Sequence, residues 1–386
     1  MSQISGTLQF CSICLARFSN ISDPLISEND RVSYTVEKLK DNPSQVSLIP
    51  SPQDSCYLCN GIFLKMDKIY AALHEELNDV EYSTFLLGAR TSPEQDQIEK
   101  TVSECLGYKV EPLSKEFKRE FGKYLEKRDG KTVSFDEPDL LVLFDLRYFS
   151  FDLQIRPVFV YGTYTKIKRG IPQTRWIHRK DVDDSVETQI GDCLNSITMG
   201  SECHLHGAGR EDVDVLMLGN GREFIIESEK PRKRKFDLKE LEKGVNEVSD
   251  SIRIGNLRTS NRKEVVSLKD STFDKTYRAT ISSALPFNGK KLENAVLYLS
   301  GKDIYQRTPL RVTGSRSDLV RTRRIVSLKL DSVAGSVASI TVRAQAGTYI
   351  KEMIHGDEGR TKPSLAEIYG EDIGVKELDV IWIHRE

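Results

Sequence analysis

The chain has 386 residues, too many for one ordinary hydrophobic core, so two or three folding units are expected. Charged residues make up 30% of it and yet the net charge is −2, which excludes a protein that holds nucleic acid by bulk charge and leaves that task to local basic surfaces. No apolar run approaches the roughly 20 residues that span a bilayer, and MSQISGTLQF has no basic segment ahead of an apolar one, so a soluble, cytoplasmic protein without membrane contact is expected.

Residues 1–65 carry two close cysteine pairs, Cys11-x-x-Cys14 and Cys56-x-x-Cys59, and a loop-like stretch, Leu48 to Asp54 (LIPSPQD), with little apolar material of their own. Each pair brings two sulfurs to one centre, and four thiolates at the corners of a tetrahedron suit a structural zinc. The gap between the pairs exceeds the roughly 15 to 20 residues of a compact zinc ribbon, so the intervening segment must form a small excursion. Four buried, redox-idle cysteines are the alternative. A small segment without a core usually needs a staple, which favours the metal. A thioredoxin-like use would want one pair beside a strand-helix-strand unit, and that pattern is missing. Cys105, Cys193 and Cys203 lack close partners and read as core residues.

From Met66 the pattern changes. Ile69, Leu73 and Leu77 share a helical spacing, as do Phe117, Phe121 and Leu125. The run Leu140 to Phe144 (LLVLF) reads as a buried strand, and the alternation of Phe149, Phe151, Leu153 and Ile155 as another. Two helices and two strands make a second module, residues 66–166, ending at the basic stretch Thr165 to Gln173 (TKIKRGIPQ).

Residues 167–386 are strand-rich. Val213 to Leu218, a Gly219-Asn220-Gly221 turn and Phe224 to Glu227 predict a hairpin directly after Asp212. Leu238, Leu241, Val245 and Val248 predict a helix, and strands fit Arg278 to Ser282, Ala295 to Leu299, Ile325 to Leu330, Ile340 to Ala344 and Val380 to Ile383. The class is therefore α+β and multidomain, with a mixed sheet in the last part.

Charge gathers at one junction, His206-Gly-Ala-Gly-Arg210-Glu-Asp212-Val-Asp214-Val, where a glycine-containing loop meets a strand. Such junctions often present functional groups, although Arg-Glu-Asp clusters are commonly just solvated loops. Asp212 and Asp214 project from one face if the strand has already begun, and a carboxylate pair of that kind leaves a metal-dependent nuclease open at this point.

Gly209-Arg210-Glu211-Asp212 resembles the Gly-Arg-x-Asp signature of pseudouridine synthases. The longer string Gly209 to Phe224 (GREDVDVLMLGNGREF) is similar to the tRNA pseudouridine synthases of the Pus-ten type. In the same order Pro172 to Trp176 (PQTRW), Lys275 to Ala279 (KTYRA), Thr308 to Val312 (TPLRV) and Gly347 to Pro363 (GTYIKEMIHGDEGRTKP) resemble that family, from about Cys11 to Leu365. One departure is Val215-Leu216-Met217, which stands where a basic residue is expected.

The resemblance implies a pseudouridine synthase catalytic domain preceded by a small zinc module and a THUMP-like RNA-binding domain. It implies Asp212 as nucleophile, with no cofactor in catalysis and tRNA as partner, the targets being uridines 54 and 55 of the T-loop. A carboxylate in a water-poor pocket needs a cation nearby, and Arg210 and Lys351 are the candidates. Lys351 stands where related synthases carry arginine, giving a point charge instead of a fork. Tyr277 matches the family tyrosine that stacks on the target base, and Tyr349 a second aromatic against the substrate. Two basic groups, Arg232 to Lys235 and Arg316, Arg321, Arg323 and Arg324, suit phosphate contacts. A monomer is expected. The alternative from another class is a non-catalytic, zinc-containing tRNA-binding protein, which would keep the cysteines and the basic loops without needing Asp212 or Tyr277.

Overall fold

The computed structural model describes residues 6–40, 46–175, 184–314 and 317–385. Trp176 of the PQTRW motif and Arg316 of the second basic group lie outside the described residues. The chain forms two compact units, one of Met1–Arg156 with Arg232–Arg234, the other of Pro157–Pro231 and Lys235–Glu386.

In the first unit, strand Gly6–Phe10 pairs in parallel with Val46–Pro50, and helices Ser12–Phe18 and Glu28–Lys40 fill the connection. The stretch expected as a loop from Leu48 is thus partly strand: Leu8 and Phe10 alternate inward on the partner, and the backbone of Val46–Pro50 answers them. A second sheet has the order Thr132–Val133, Thr84–Arg90, Leu140–Asp145, Ser150–Ile155, with only the last strand antiparallel to its neighbour. Helix Leu113–Asp129 lays Leu113, Phe117, Phe121 and Leu125 on this sheet at a spacing of four, and Phe144 meets both phenylalanine rings edge-on. The helix Pro93–Leu106 starts at a capping box: Ser92 Oγ accepts from Gln95 N and Gln95 Oε1 accepts from Ser92 N. The four paired cysteines belong to the same apolar core as these helices, so the module has no core apart from its neighbour's.

The second unit is built on a ten-stranded sheet. Its order is Ile252–Ser260, Val158–Lys166, Leu216–Ser228, Gly374–Ile383, Lys275–Ser282, Val337–Ala344, Val320–Ala334, Asp303–Arg307 and Thr361–Lys362, with Cys203–Gly207 also paired to Leu216–Ser228. Strand Val158–Lys166, expected to close the second module, pairs instead with Leu216–Ser228 and Ile252–Ser260, so this unit begins at Pro157. The pattern break is Arg156-Pro157, where a proline ends the alternation of the preceding strand. Among the described residues, all neighbours in this sheet are antiparallel except Leu216–Ser228 against Gly374–Ile383.

Two sequence expectations fail here for identifiable reasons. Ala295 to Leu299 is not a strand but the end of helix Gly289–Leu299, in which Leu292, Ala295, Val296 and Leu299 are buried on one face and Asn288 caps the start. The expected hairpin is one continuous strand, Leu216–Ser228. Gly219 (φ +62°) and Gly221 (φ +70°) supply left-handed residues to a bulge, where the partner strand steps from Tyr164 opposite Arg222 to Lys166 opposite Met217. A Gly-Asn-Gly string satisfies a bulge as well as a turn. Asn220 ties the bulge to the last strand, its amide donating to Ile383 O at 2.7 Å and its carbonyl accepting from Ile383 N at 2.9 Å.

Candidate active site

The parallel seam of the large sheet positions the charged loop. Met217, Val380 and Tyr277 stand in one register row across three neighbouring strands, so the segment just before Leu216 emerges beside Tyr277. The strand begins at Leu216, and Asp212 to Val215 form a turn closed by Val215 N on Asp212 O at 3.1 Å.

A buried polar network holds this loop from beneath. Glu211 points inward and accepts from Tyr164 Oη at 2.8 and 3.0 Å and from Arg222 Nε at 2.7 Å. Arg222 Nη1 reaches Ala208 O at 2.7 Å, and Gln173 donates to both Tyr164 Oη and Gly209 O. Lys166 spends its ammonium on three carbonyls, those of Ile171, Asp212 and Val213, at 2.9 to 3.3 Å. Burial drives the Tyr164 phenol well above its ordinary value, with the Glu211 charge adding to it, and burial lowers Lys166 against the pull of Glu211. Removing one member would leave an uncompensated buried charge, typically about 3–5 kcal/mol.

Glu211 is buried, and on either side of it Arg210 is exposed and Asp212 half-buried. Asp212 is 38% exposed, and two cations meet its carboxylate: Arg311 Nη1 at 3.2 and 3.1 Å from the two oxygens, and Lys351 Nζ at 3.2 Å. Lys351 sits in the first turn of helix Ile350–His355 and also binds both oxygens of Asp214, at 3.0 and 2.9 Å. Burial raises the Asp214 carboxyl, but Lys351 outweighs that and holds it below the usual carboxylate range. Arg210, the other expected cation, is exposed and forms no ion pair among the described residues. The loop conformation that takes Glu211 inward leaves Arg210 in solvent.

Burial pushes the Tyr277 phenol up to about 12; Arg222 pulls it down, and the charges of Asp212 and Glu211 push it up again. Tyr277 is therefore a neutral phenol within the field of Asp212. Tyr349, the N-cap of helix Ile350–His355, lies with its ring centre 6.0 Å from the Arg311 guanidinium carbon. Arg311 and its buried partner Glu352, 2.7 Å away, were not among the expected site residues, nor was the network of Tyr164, Lys166, Gln173 and Arg222. Arg311 lies inside the Thr308 to Val312 motif and Gln173 inside Pro172 to Trp176, strings that carried the resemblance without a role for these two residues.

The basic groups are partly spent on local partners. Arg234 pairs with Asp139 at 3.2 Å, Arg324 with Asp303 at 3.1 Å, and Arg321 donates to Thr308 Oγ1 at 3.0 Å.

In the first unit the four expected sulfurs do converge. Cys11 and Cys59 are 3.6 Å apart, Cys14 and Cys56 3.7 Å apart, and all four lie within 4.8 Å of one another and are buried. These separations are far too long for disulfides of about 2.05 Å. They match the edge of about 3.8 Å of a tetrahedron whose corners lie about 2.3 Å from a zinc ion. Arg17 is buried beside Cys14 and bonds Glu99 at 2.9 Å. Burial opposes its charge, and Cys14 and Glu99 more than restore it.

The half-exposed Asp212 carboxylate, carried above a buried network at the seam of a mixed sheet and within the field of a neutral tyrosine, is compatible with the pseudouridine synthase class, and the comparisons with known proteins show that class. Residues 159–384 match the family model described as Pus10, C-terminal, and residues 69–145 the one described as Pus10 THUMP domain, archaeal. The tRNA pseudouridine synthase Pus10 of Thermoplasma acidophilum is 46% identical over 331 residues, covering 86% of this chain and 85% of that protein. The Picrophilus torridus protein of the same name is 43% identical, covering 86% of each. That of Halorubrum lacusprofundi is 33% identical over 100% of this chain and 96% of its own length. The chain belongs to the Pus10 family and is a pseudouridine synthase.

Proposed function

We propose that this synthase acts on the T-loop of tRNA, at uridine 54, uridine 55 or both, with Asp212 as the nucleophile. The observation that carries the reading is the position of one half-exposed carboxylate between Arg311 and Lys351, within the field of Tyr277. The reaction breaks the bond from C1′ to N1, turns the uracil, and forms the bond from C1′ to C5 while a proton leaves C5 and N1 regains one. Atoms and electrons balance within the substrate, so the chemistry calls for a well-placed carboxylate rather than for a redox or group-transfer partner.

In this reading Asp212 opens and later releases the sugar-base linkage. Lys351 and Arg311 offset its charge and orient it, and Lys351 is shared with Asp214. Tyr277 offers an aromatic face to the extruded base and a phenol that stays protonated, and Tyr349 a second ring at the rim. Lys166 and Glu211 keep the loop from moving when the base enters. Residues 1–65 serve as a zinc module, with Cys11, Cys14, Cys56 and Cys59 as ligands and a purely structural role for the ion. The segment that follows serves as the THUMP-like RNA-binding part, and the remainder as the catalytic domain.

Incubating unmodified tRNA transcript with the protein and mapping pseudouridine tests both halves of the proposal. Product confined to the T-loop is expected, with a loss of at least about 10⁴-fold in Asp212→Asn at undiminished tRNA binding. A wild-type rate in that variant would remove Asp212 from the chemistry; product elsewhere in the tRNA would overturn the target.

A further inference from the structure

Two cations meet Asp212, and they are held in different ways. Lys351 divides its single charge, lying closer to Asp214 (2.9 and 3.0 Å) than to Asp212 (3.2 Å). Among the described residues, Arg311 has no second solvent-side carboxylate among its bonds. Its Nη1 spans both oxygens of Asp212, and its Nε is tied at 2.7 Å to Glu352 Oε1.

Glu352 is the unusual member. Its side chain is 2% exposed, Arg311 supplies a hydrogen bond to one oxygen, and the other oxygen, Oε2, is buried without a partner among the described residues. A buried carboxylate with an orphaned oxygen is destabilising, and a glutamine of the same shape would fill the space at less cost. What a glutamine cannot supply is a full negative charge against the guanidinium. Glu352 follows Lys351 on helix Ile350–His355, so successive residues, about 100° apart around the axis, address the same carboxylate, one directly and one through Arg311. The turn Leu310–Val312 that carries Arg311 is fixed in its own right: Pro309 precedes it, Leu310 N donates to Asp357 Oδ2 at 3.0 Å, and Val312 N to Pro309 O at 3.0 Å.

We propose that Arg311 is a positioning residue for the nucleophile and that buried Glu352 acts only through it: Glu352 fixes the guanidinium, and the guanidinium fixes the Asp212 carboxylate in its attacking orientation. The inference rests on Asp212 being the nucleophile. Burial works against the Arg311 charge, and Glu352 together with Asp212 more than restores it, in keeping with a cation shared by two carboxylates.

Single-turnover rates at saturating tRNA transcript, beside the transcript's dissociation constant, test this in Arg311→Ala, Glu352→Gln, the double variant and Asp212→Asn. Arg311→Ala is expected to lose about 10²- to 10³-fold in rate with binding within about threefold, and Glu352→Gln about tenfold. The double variant should be no slower than Arg311→Ala, because residues acting as one unit are not additive. Added guanidinium ion should restore part of the rate to Arg311→Ala and none to Asp212→Asn. Multiplying losses in the double variant, or a loss of affinity in place of rate, overturns the proposal. Arg311 is 42% exposed, but Arg311→Ala strands the buried Glu352 carboxylate, so the double variant, which removes that charge as well, keeps the test readable if Arg311→Ala alone unfolds. An inactive Asp212→Asn beside a fully active Arg311→Ala sinks this inference alone; an active Asp212→Asn sinks the nucleophile reading itself.

Discussion

At the scale of single residues, the site depends on which ionisable groups stay charged and which stay neutral. Tyr277 belongs to the second kind. Its folded pKa of about 12 lies above the ordinary phenol value, so the folded state keeps a proton that the unfolded state gives up. Stability from this source is whole below pH 10 and is lost as pH rises from there through 12, by roughly 3 kcal/mol for a shift of this size. Urea unfolding measured from pH 8 to 12 should show that alkaline loss in the wild type and a smaller one in Tyr277→Phe. Equal losses would place the titration on other tyrosines, such as the buried Tyr164. Below pH 10 the phenol stays protonated. Much of the residue-level picture was legible in the sequence. The convergence of the four sulfurs and the pairing of Lys351 with Asp212 follow spacings and motifs that the sequence displays. Arg210 was not legible: motif proximity favoured it, and only the inward turn of Glu211 shows that its side chain leaves the site. Arg311 and Glu352 reach Asp212 from a loop and a helix about 100 or more positions downstream, a juxtaposition that no local pattern encodes.

At the scale of elements, periodicity identified the strongly patterned pieces and failed where one composition serves two structures. Helices Met66–Glu76, Leu113–Asp129 and Leu238–Val248 followed from their apolar spacing, and strands Leu140–Asp145 and Val337–Ala344 from theirs. Ala295 to Leu299 misled because a short apolar run is ambiguous until the Asn288 cap and the Leu292 register are read with it. The Gly-Asn-Gly string misled because left-handed residues mark bulges as readily as turns. That bulge makes a sharp demand on Gly219. A Cβ there would stand 1.9 Å from the Ile381 carbonyl oxygen, on a backbone at φ +62° that side chains resist. Neither the strand Gly374–Ile383 nor the bulge can yield separately, because Asn220 clamps them together. Gly219→Ala should therefore cost roughly 3 kcal/mol or more, seen as a lower urea midpoint with an unchanged slope. The seam beside the Asp212 loop would be displaced with it, so activity should fall more steeply than stability alone explains. A midpoint within about 0.5 kcal/mol of wild type would mean that the strand relaxes freely there.

At the scale of the whole molecule, the described residues form two large apolar cores, one gathering the cysteines with the helices and sheet of the first unit, the other built on the large sheet, and a small cluster of Phe159, Ala208, Ile225, Val265 and Leu268 beside them. The sequence suggested a division near residue 167. The structure draws it at Pro157, since hydrogen bonding assigned the strand Val158–Lys166 to a partner some 60 residues downstream. It also shows that the cysteine segment is not short of apolar material: Leu8, Phe10, Leu15, Phe18, Leu58 and Ile62 are buried beside the sulfurs in the core that the first unit shares. With the proposed zinc bound, the four sulfurs would be thiolates held together by the ion, and a structural zinc contributes about 10–16 kcal/mol to folding in small modules. Withdrawing the ion with a strong chelator should then open the first unit alone. Hydrogen exchange across residues 6–156 is expected to quicken while the slow amides of the large sheet keep their protection. Metal analysis should return one zinc per chain, lost in Cys14→Ser together with that protection. Unaltered exchange in the metal-free protein would mean that packing holds the sulfurs together without an ion, and faster exchange across the large sheet as well would mean that the two cores are one cooperative unit.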